Sequence, residues 1–245
     1  MMRVIFLSLV LLSSAAFADD AKEGDYLYRV TTVRAAPGKL DELISLYQSK
    51  DMAAVHRYDG VPFMMRHSQG DHWDLLLIYP MGSFAKHYSM EANARRHRHH
   101  KLAVHMEQQL DSLLSFSADT YALGVDQETL AQAFDDYDFY HVEMFHALPG
   151  LHEALLEQRR MENRYLKITG QTDNFIFQSV AGTDVDIFTI GFYTSMVDFA
   201  SSSPPSDEEG ERVAREVGFE SRGAIGTYLR SLISKHFDTL AVALK

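Results

Sequence analysis

The stretch YRVTTVRAAPGKLDELISLYQ, residues 28–48, is echoed 112 residues later by YHVEMFHALPGLHEALLEQRR. An internal repeat constrains a chain more than any single motif, because both copies must suit one shape. Aligned without gaps, residues 28–89 and 140–201 agree at twelve of 62 positions, where composition alone gives roughly four. Pro37-Gly38 recurs as Pro149-Gly150, each pair between an alternating run and a run with helical spacing (Leu40, Leu43, Ile44, Tyr47 and Leu151, Ala154, Leu155). Proline fixes φ and glycine supplies a permissive corner, so the pair turns strand into helix.

Farther on, Phe63, Gly70, Asp74 and Ile78 recur as Phe175, Gly182, Asp186 and Ile190, and both surrounding stretches read as hairpins. A helical stretch follows each, then a closing strand, SADTYALGV in the first copy and HFDTLAVAL in the second. By Asp119-Thr120 and Asp238-Thr239 the offset is 119, so the second copy holds seven more residues, which SSSPPSDEEG (201–210) accommodates. Each copy is therefore read as β-α-β-β-α-β, a ferredoxin-like unit with one sheet face covered by helices and the other bare. The predicted fold is α+β: two tandem ferredoxin-like repeats packed sheet to sheet, residues 19–125 and 139–245, joined by an acidic, partly helical linker at 126–138.

The pattern of strand, Pro-Gly, amphipathic helix and Gly-Asp hairpin resembles the dimeric α/β-barrel superfamily. That group includes antibiotic-biosynthesis-monooxygenase-like, NIPSNAP-like and chlorite-dismutase-like proteins. The resemblance covers Tyr28 to about Gly124 and Tyr140 to Leu244. It implies an intrachain dimeric α/β barrel, with a small apolar ligand or a haem between the sheets. No motif in the chain names a cofactor or a reaction.

The first residues, MMRVIFLSLVLLSSAAFADD, carry a basic Arg3, an apolar run from Val4 to Leu12 and small residues ending Ala16-Phe17-Ala18. This is the pattern of a secretory signal peptide, residues 1–18, with the mature chain expected to begin at Asp19 in the periplasm or outside the cell. Its apolar run is too short to span a bilayer, so no membrane insertion is expected. Cysteine is absent, so a disulfide framework is not available and an ordinary core must supply stability. Removing residues 1–18 deletes only Arg3 and moves the formal net charge from −11 to −12, which argues against nucleic-acid partners.

Candidate sites come from the histidines and the first strands. Eleven of twelve histidines fall between His56 and His152, densest in ARRHRHHKLAVH, where His97, His99, His100 and His105 stand among Arg95, Arg96, Arg98 and Lys101. Without an i, i+4 pair or a completing carboxylate this is no closed metal motif, and no residue is assigned as a metal ligand. A solvated basic helix face, a transition-metal site and an anion patch remain open. On the first strand of the second copy, Tyr140, Val142 and Met144 alternate with His141 and Glu143; Arg29 is the counterpart of His141.

If the apolar set meets the helices, Arg29, His141 and Glu143 point between the sheets, either as a ligand-orienting or general-base group or as a satisfied polar pair. Trp73, the only tryptophan, is read as core or pocket lining, and His87 as a helix-start residue. Three functions follow: binding of a small apolar or aromatic ligand or haem between the sheets; a cofactor-independent monooxygenase or isomerase; or an interaction protein using the His/Arg-rich helix. Self-association into a homo-oligomer is left open.

Overall fold

The repeat acquires its meaning in the sheet order. The computed structural model describes residues 23–201 and 203–244; the expected signal peptide lies outside them. The first copy supplies β1 (Tyr26–Ala35), β2 (Phe63–Gln69), β3 (Leu75–Gly82) and β4 (Leu114–Gly124). The second supplies β5 (Phe139–Ala147), β6 (Phe175–Ala181), β7 (Ile187–Tyr193) and β8 (Ile233–Ala243). They form one closed barrel in the order β1-β3-β2-β8-β5-β7-β6-β4, every pairing antiparallel. The seams β2–β8 and β4–β6 join the two copies, and closure removes the exposed edges that either half would present alone.

The helical stretches are more broken than the sequence pattern implies. In the first copy they are α1 (Leu40–Tyr47), α2 (Lys50–Asp59), α3 (Phe84–His87), α4 (Met90–Arg98) and α5 (His100–Leu113). The linker forms α6 (Gln127–Asp136), and the second copy has α7 (His152–Ile168), α8 (Met196–Ala200), α9 (Asp207–Glu216) and α10 (Ala224–Leu232). His87 ends α3 rather than starting a helix; the start is capped by Ser83, whose hydroxyl accepts from the Lys86 amide. Ser195 does the same for α8, which explains why this serine is repeated.

Other repeated residues also have geometric jobs. Gly38 and Gly150 take φ of 76° and 81° at the strand-to-helix corners. Asp74 and Asp186 each accept a hydrogen bond from the backbone at the end of the first strand, from the Ala35 amide at 2.8 Å and the Ala147 amide at 2.7 Å. Gly70 and Gly182, in the hairpin turns, cross the seams: a Cβ there would lie 2.1 Å from the Asp238 carbonyl oxygen and 2.3 Å from that of Asp119. The glycines and the Asp-Thr pairs are thus two sides of one contact, made twice.

Three apolar layers result. The barrel interior is filled from both copies by Tyr28, Val30, Met65, Ile78, Tyr140, Val142, Phe177 and Phe188 among others. Outside the first sheet, Val33, Leu75 and Leu77 pack against Leu43 and Tyr47 of α1 and Met106 of α5. Outside the second, Phe145, Ile176 and Ile187 meet Leu155 and Leu156 of α7 and Leu232 of α10. The linker does more than connect. Asp126 caps α6 by accepting from the Glu128 and Thr129 amides, and the buried face of the helix, Leu130, Ala133 and Phe134, seats in the interior layer and plugs that end of the barrel. No helix among the described residues is long and apolar enough to cross a membrane.

Candidate functional site

The strand faces are the reverse of the sequence expectation. Tyr140, Val142 and Met144 belong to the barrel interior, so His141 and Glu143 point outward toward the helices. Arg29 likewise leaves the interior, its guanidinium lying 4.4 Å from the centre of the Tyr79 ring on the helix-facing side. The physical reason is access to water. Around Tyr140 and Val142 the interior is filled by apolar side chains from both copies and plugged by α6, so it takes the uniformly apolar face, whereas the helix layer can bring polar partners of its own, as α7 does with Gln158, Arg159 and Asn163. Of the four candidate residues, Trp73 alone faces the interior.

Trp73 lines a chamber of about 190 Å³ at the barrel end opposite α6. The chamber draws on both copies. Val30, Thr32, Phe116, Ala118 and Thr120 come from β1 and β4, Met144 and His146 from β5, Val185 and Phe188 from the second hairpin, and Lys235 and Phe237 from β8. Asp71, His72, Thr183 and Asp184 belong to the two hairpin turns at its rim. Two buried polar groups here lack hydrogen-bond partners: the Trp73 indole N–H and both ring nitrogens of His146. The Asp184 carboxylate stands 3.4 Å from Nδ1, at ion-pair distance but without a hydrogen bond, and is shared with Lys235 at 3.1 Å. A buried group without a partner costs about 1–3 kcal/mol, and here the cost falls on two groups lining one cavity. His146 follows the inner-face alternation of Tyr140, Val142 and Met144, a signal visible in the sequence once the faces are assigned correctly.

His141 and Glu143 belong to a separate cluster under α7. His141 Nε2 donates to Asp238 Oδ1 at 3.0 Å, and His236 Nε2 to Glu143 Oε1 at 3.2 Å. Thr189 Oγ1 donates to Glu143 Oε2 at 3.2 Å, and Arg159 Nη1 stands 3.8 Å from the same oxygen. Burial by itself raises the Glu143 carboxyl, but the His236 hydrogen bond and the charges of Arg159, His141 and His236 outweigh it and hold the group below its usual value. For His141, burial favours the neutral ring, while the Asp238 hydrogen bond and the Glu143 and Asp238 charges raise it above the ordinary imidazole value. The hydrogen bond from His141 is also the main reason Asp238 is lowered. Asp238 and His236 join from β8 through the β5–β8 register, Glu143 opposite Asp238 and Phe145 opposite His236.

The His/Arg-rich segment is not one continuous helix face. His99 interrupts it between α4 and α5, placing the His97 and His100 rings 5.7 Å apart, centre to centre. His99 stacks on Tyr58 of α2 at 3.4 Å, and Arg96 donates to the His87 carbonyl at 2.7 Å. Tyr58, Arg96, His97, His99 and His100 line a groove of about 460 Å³.

No family model matches the chain, and no curated protein matches it. Solved structures do. An anthrone oxidase-like protein superposes with a TM-score of 0.55 at 9% identity, over 91% of this chain and 92% of the other. A candidate monooxygenase from Fusobacterium nucleatum gives 0.51 at 8%, over 91% and 94%. A chlorite dismutase variant from Candidatus Nitrospira defluvii gives 0.48 at 10%, over 90% and 92%. At such identities the likeness is one of fold: this chain has the dimeric α/β-barrel fold, with both halves in a single polypeptide.

Proposed function

We propose that the protein binds a single-ring aromatic molecule carrying a hydrogen-bond acceptor, in the barrel-end chamber walled by Trp73, Met144, Phe188 and Phe237, and that it does so after export. The observation that supports binding most strongly is the pair of unpartnered buried groups on one aromatic-walled cavity. The Trp73 indole is a donor only, so its partner must accept; His146 can donate or accept and reads the same polar end of the ligand. The size of the ligand follows from the volume. About 190 Å³ exceeds the roughly 150 Å³ that admits benzene and falls below the roughly 300 Å³ where drug-sized pockets begin. A haem does not fit a chamber of this volume. Lys235 at the rim donates to Asp184 at 3.1 Å, so the two rim charges offset one another. Export rests on the leader-like residues 1–18.

A second reading, turnover of the bound ligand, is favoured by one observation: Asp184 stands at ion-pair distance from His146 and would stabilise the imidazolium formed if that ring took a proton.

Because the chain has one tryptophan, its fluorescence reports on the chamber alone. Titration with benzoate, benzaldehyde and phenol should give a saturable change for at least one of them and none for a naphthyl analogue. Val185→Trp, which fills the cavity from the facing hairpin, should abolish binding measured by calorimetry. Absence of saturable binding by every single-ring probe, or binding unaffected by Val185→Trp, overturns the proposal. Product analysis after incubation with the bound probe decides between binding and turnover.

A further inference from the structure

We propose that the second repeat carries a site for a divalent metal ion of the zinc class on the helix-facing side of its sheet. Its ligands are His141 Nε2 and one carboxylate oxygen each from Glu143 and Asp238. Among the described residues these three are the group whose donor atoms converge, all lying within 4.8 Å of one another. Metal–ligand bonds of about 2.1 Å in a tetrahedron put neighbouring donors about 3.4 Å apart. The His141–Asp238 separation of 3.0 Å lies a few tenths of an ångström below that edge, and with the set spanning up to 4.8 Å the side chains must rotate inward to close on an ion. The ion takes the place of the Nε2 proton, which leaves to solvent past the exposed Asp238 side chain.

The surroundings match what such a site needs beyond its ligands. His236 touches both carboxylates, Glu143 Oε1 at 3.2 Å and Asp238 Oδ2 at 3.6 Å, and its ring is fixed by stacking on Phe145 at 4.6 Å. The Thr189 hydroxyl holds the other Glu143 oxygen, and the His141 ring packs against Phe199. Charge also calls for a cation. Glu143 and Glu162 share one guanidinium, that of Arg159, while Asp238 pairs only with imidazoles, so once His141 gives up its proton the cluster holds more carboxylates than fixed positive charges.

The first repeat shows that the fold does not impose this donor set. In the positions of His141, Glu143, His236 and Asp238 it carries Arg29, Thr31, Ser117 and Asp119. There the Thr31 hydroxyl donates to Asp119 Oδ1 at 2.5 Å, and the arginine supplies a built-in positive charge. Sequence spacing could not find the site, because its ligands come from strands nearly a hundred residues apart and only the β5–β8 register unites them.

The test uses the untagged protein, stripped with chelator and titrated with Co²⁺ by visible absorption, then with Zn²⁺ in competition. One equivalent of Co²⁺ should bind and be displaced by Zn²⁺. Asp238→Asn, at an exposed position, should weaken binding by at least about tenfold, and His236→Gln by about 10- to 100-fold, with circular dichroism confirming that both stay folded. The double variant His97→Gln/His100→Gln should bind as the parent does. Failure of the parent to take up Co²⁺, uptake unchanged by Asp238→Asn, or uptake lost only in the His97/His100 variant overturns the proposal.

Discussion

Truncating one side chain of the linker tests whether α6 is a structural plug. Phe134 is 9% exposed and packs its ring against Phe63 at 5.0 Å, Tyr140 at 5.0 Å and Phe192 at 5.5 Å. Losing a buried phenylalanine forfeits about 1.5–3 kcal/mol of transfer free energy. Each ring pair adds about 0.5–1.5 kcal/mol. Part of this is recovered as neighbours relax, and measured Phe→Ala changes in cores fall at about 3–5 kcal/mol. In a chain of this length 1 kcal/mol moves the melting temperature by about 2–4 °C, so Phe134→Ala should lower Tm by about 6–20 °C in a calorimetric scan. Gln132→Ala, on the exposed face of the same helix, should shift it by less than about 2 °C. Equal, small shifts for both variants would refute the reasoning and return the segment to the status of a connector.

Three further outcomes follow from the same geometry. Burial between sheet and helices pushes Tyr47 up to about 12, from 10.0. The folded state therefore keeps a proton that the unfolded chain gives up, and the resulting stability is complete below about pH 10 and lost as pH rises to about 12, at roughly 1.4 kcal/mol per unit. Denaturant midpoints should fall across that window, and a midpoint flat from pH 9 to 12 contradicts the burial assigned to Tyr47. Gly70→Ala must move backbone at the seam and should cost well over the about 1–3 kcal/mol of local strain, whereas Gly38→Ala, with nothing within 4 Å of its new Cβ, should cost only strain; equal midpoints in urea would contradict the seam contact. N-terminal sequencing of the protein recovered from its native host should read from Asp19, and a mature chain retaining Val4–Leu12 would remove the proposal of export.

Much of the architecture was legible because its signals are local and doubled. Pro-Gly corners, Gly-Asp hairpins and helical spacing each specify a turn or an element, and finding them twice implied the paired sheets. The side of each sheet that faces inward was not legible. Alternation separates Tyr140, Val142 and Met144 from His141 and Glu143 but carries no sign, and both layers that flank the sheet bury apolar surface. What decides is that one layer is filled by apolar side chains from both copies and the other is made of amphipathic helices, one of which delivers the buried Arg159 to Glu143. Trp73 lies in the interior for a different reason: a lone aromatic in a hairpin turn has to bury somewhere, and the turn closes over the barrel end. Its companion His146 is not legible, because what marks it is a buried ring without a hydrogen bond, and sequence does not record that.

The claim that the barrel-end chamber is built for an aromatic ligand with an acceptor is tested most directly at the Trp73 indole N–H. With a single tryptophan, the protein gives one indole cross-peak in a ¹H–¹⁵N correlation spectrum. The account predicts that this proton, without a hydrogen-bond partner in the free protein, shifts downfield on saturation with the best single-ring probe, and that the His146 ring resonances move with it. A probe that binds while the indole proton stays where it was contradicts the account.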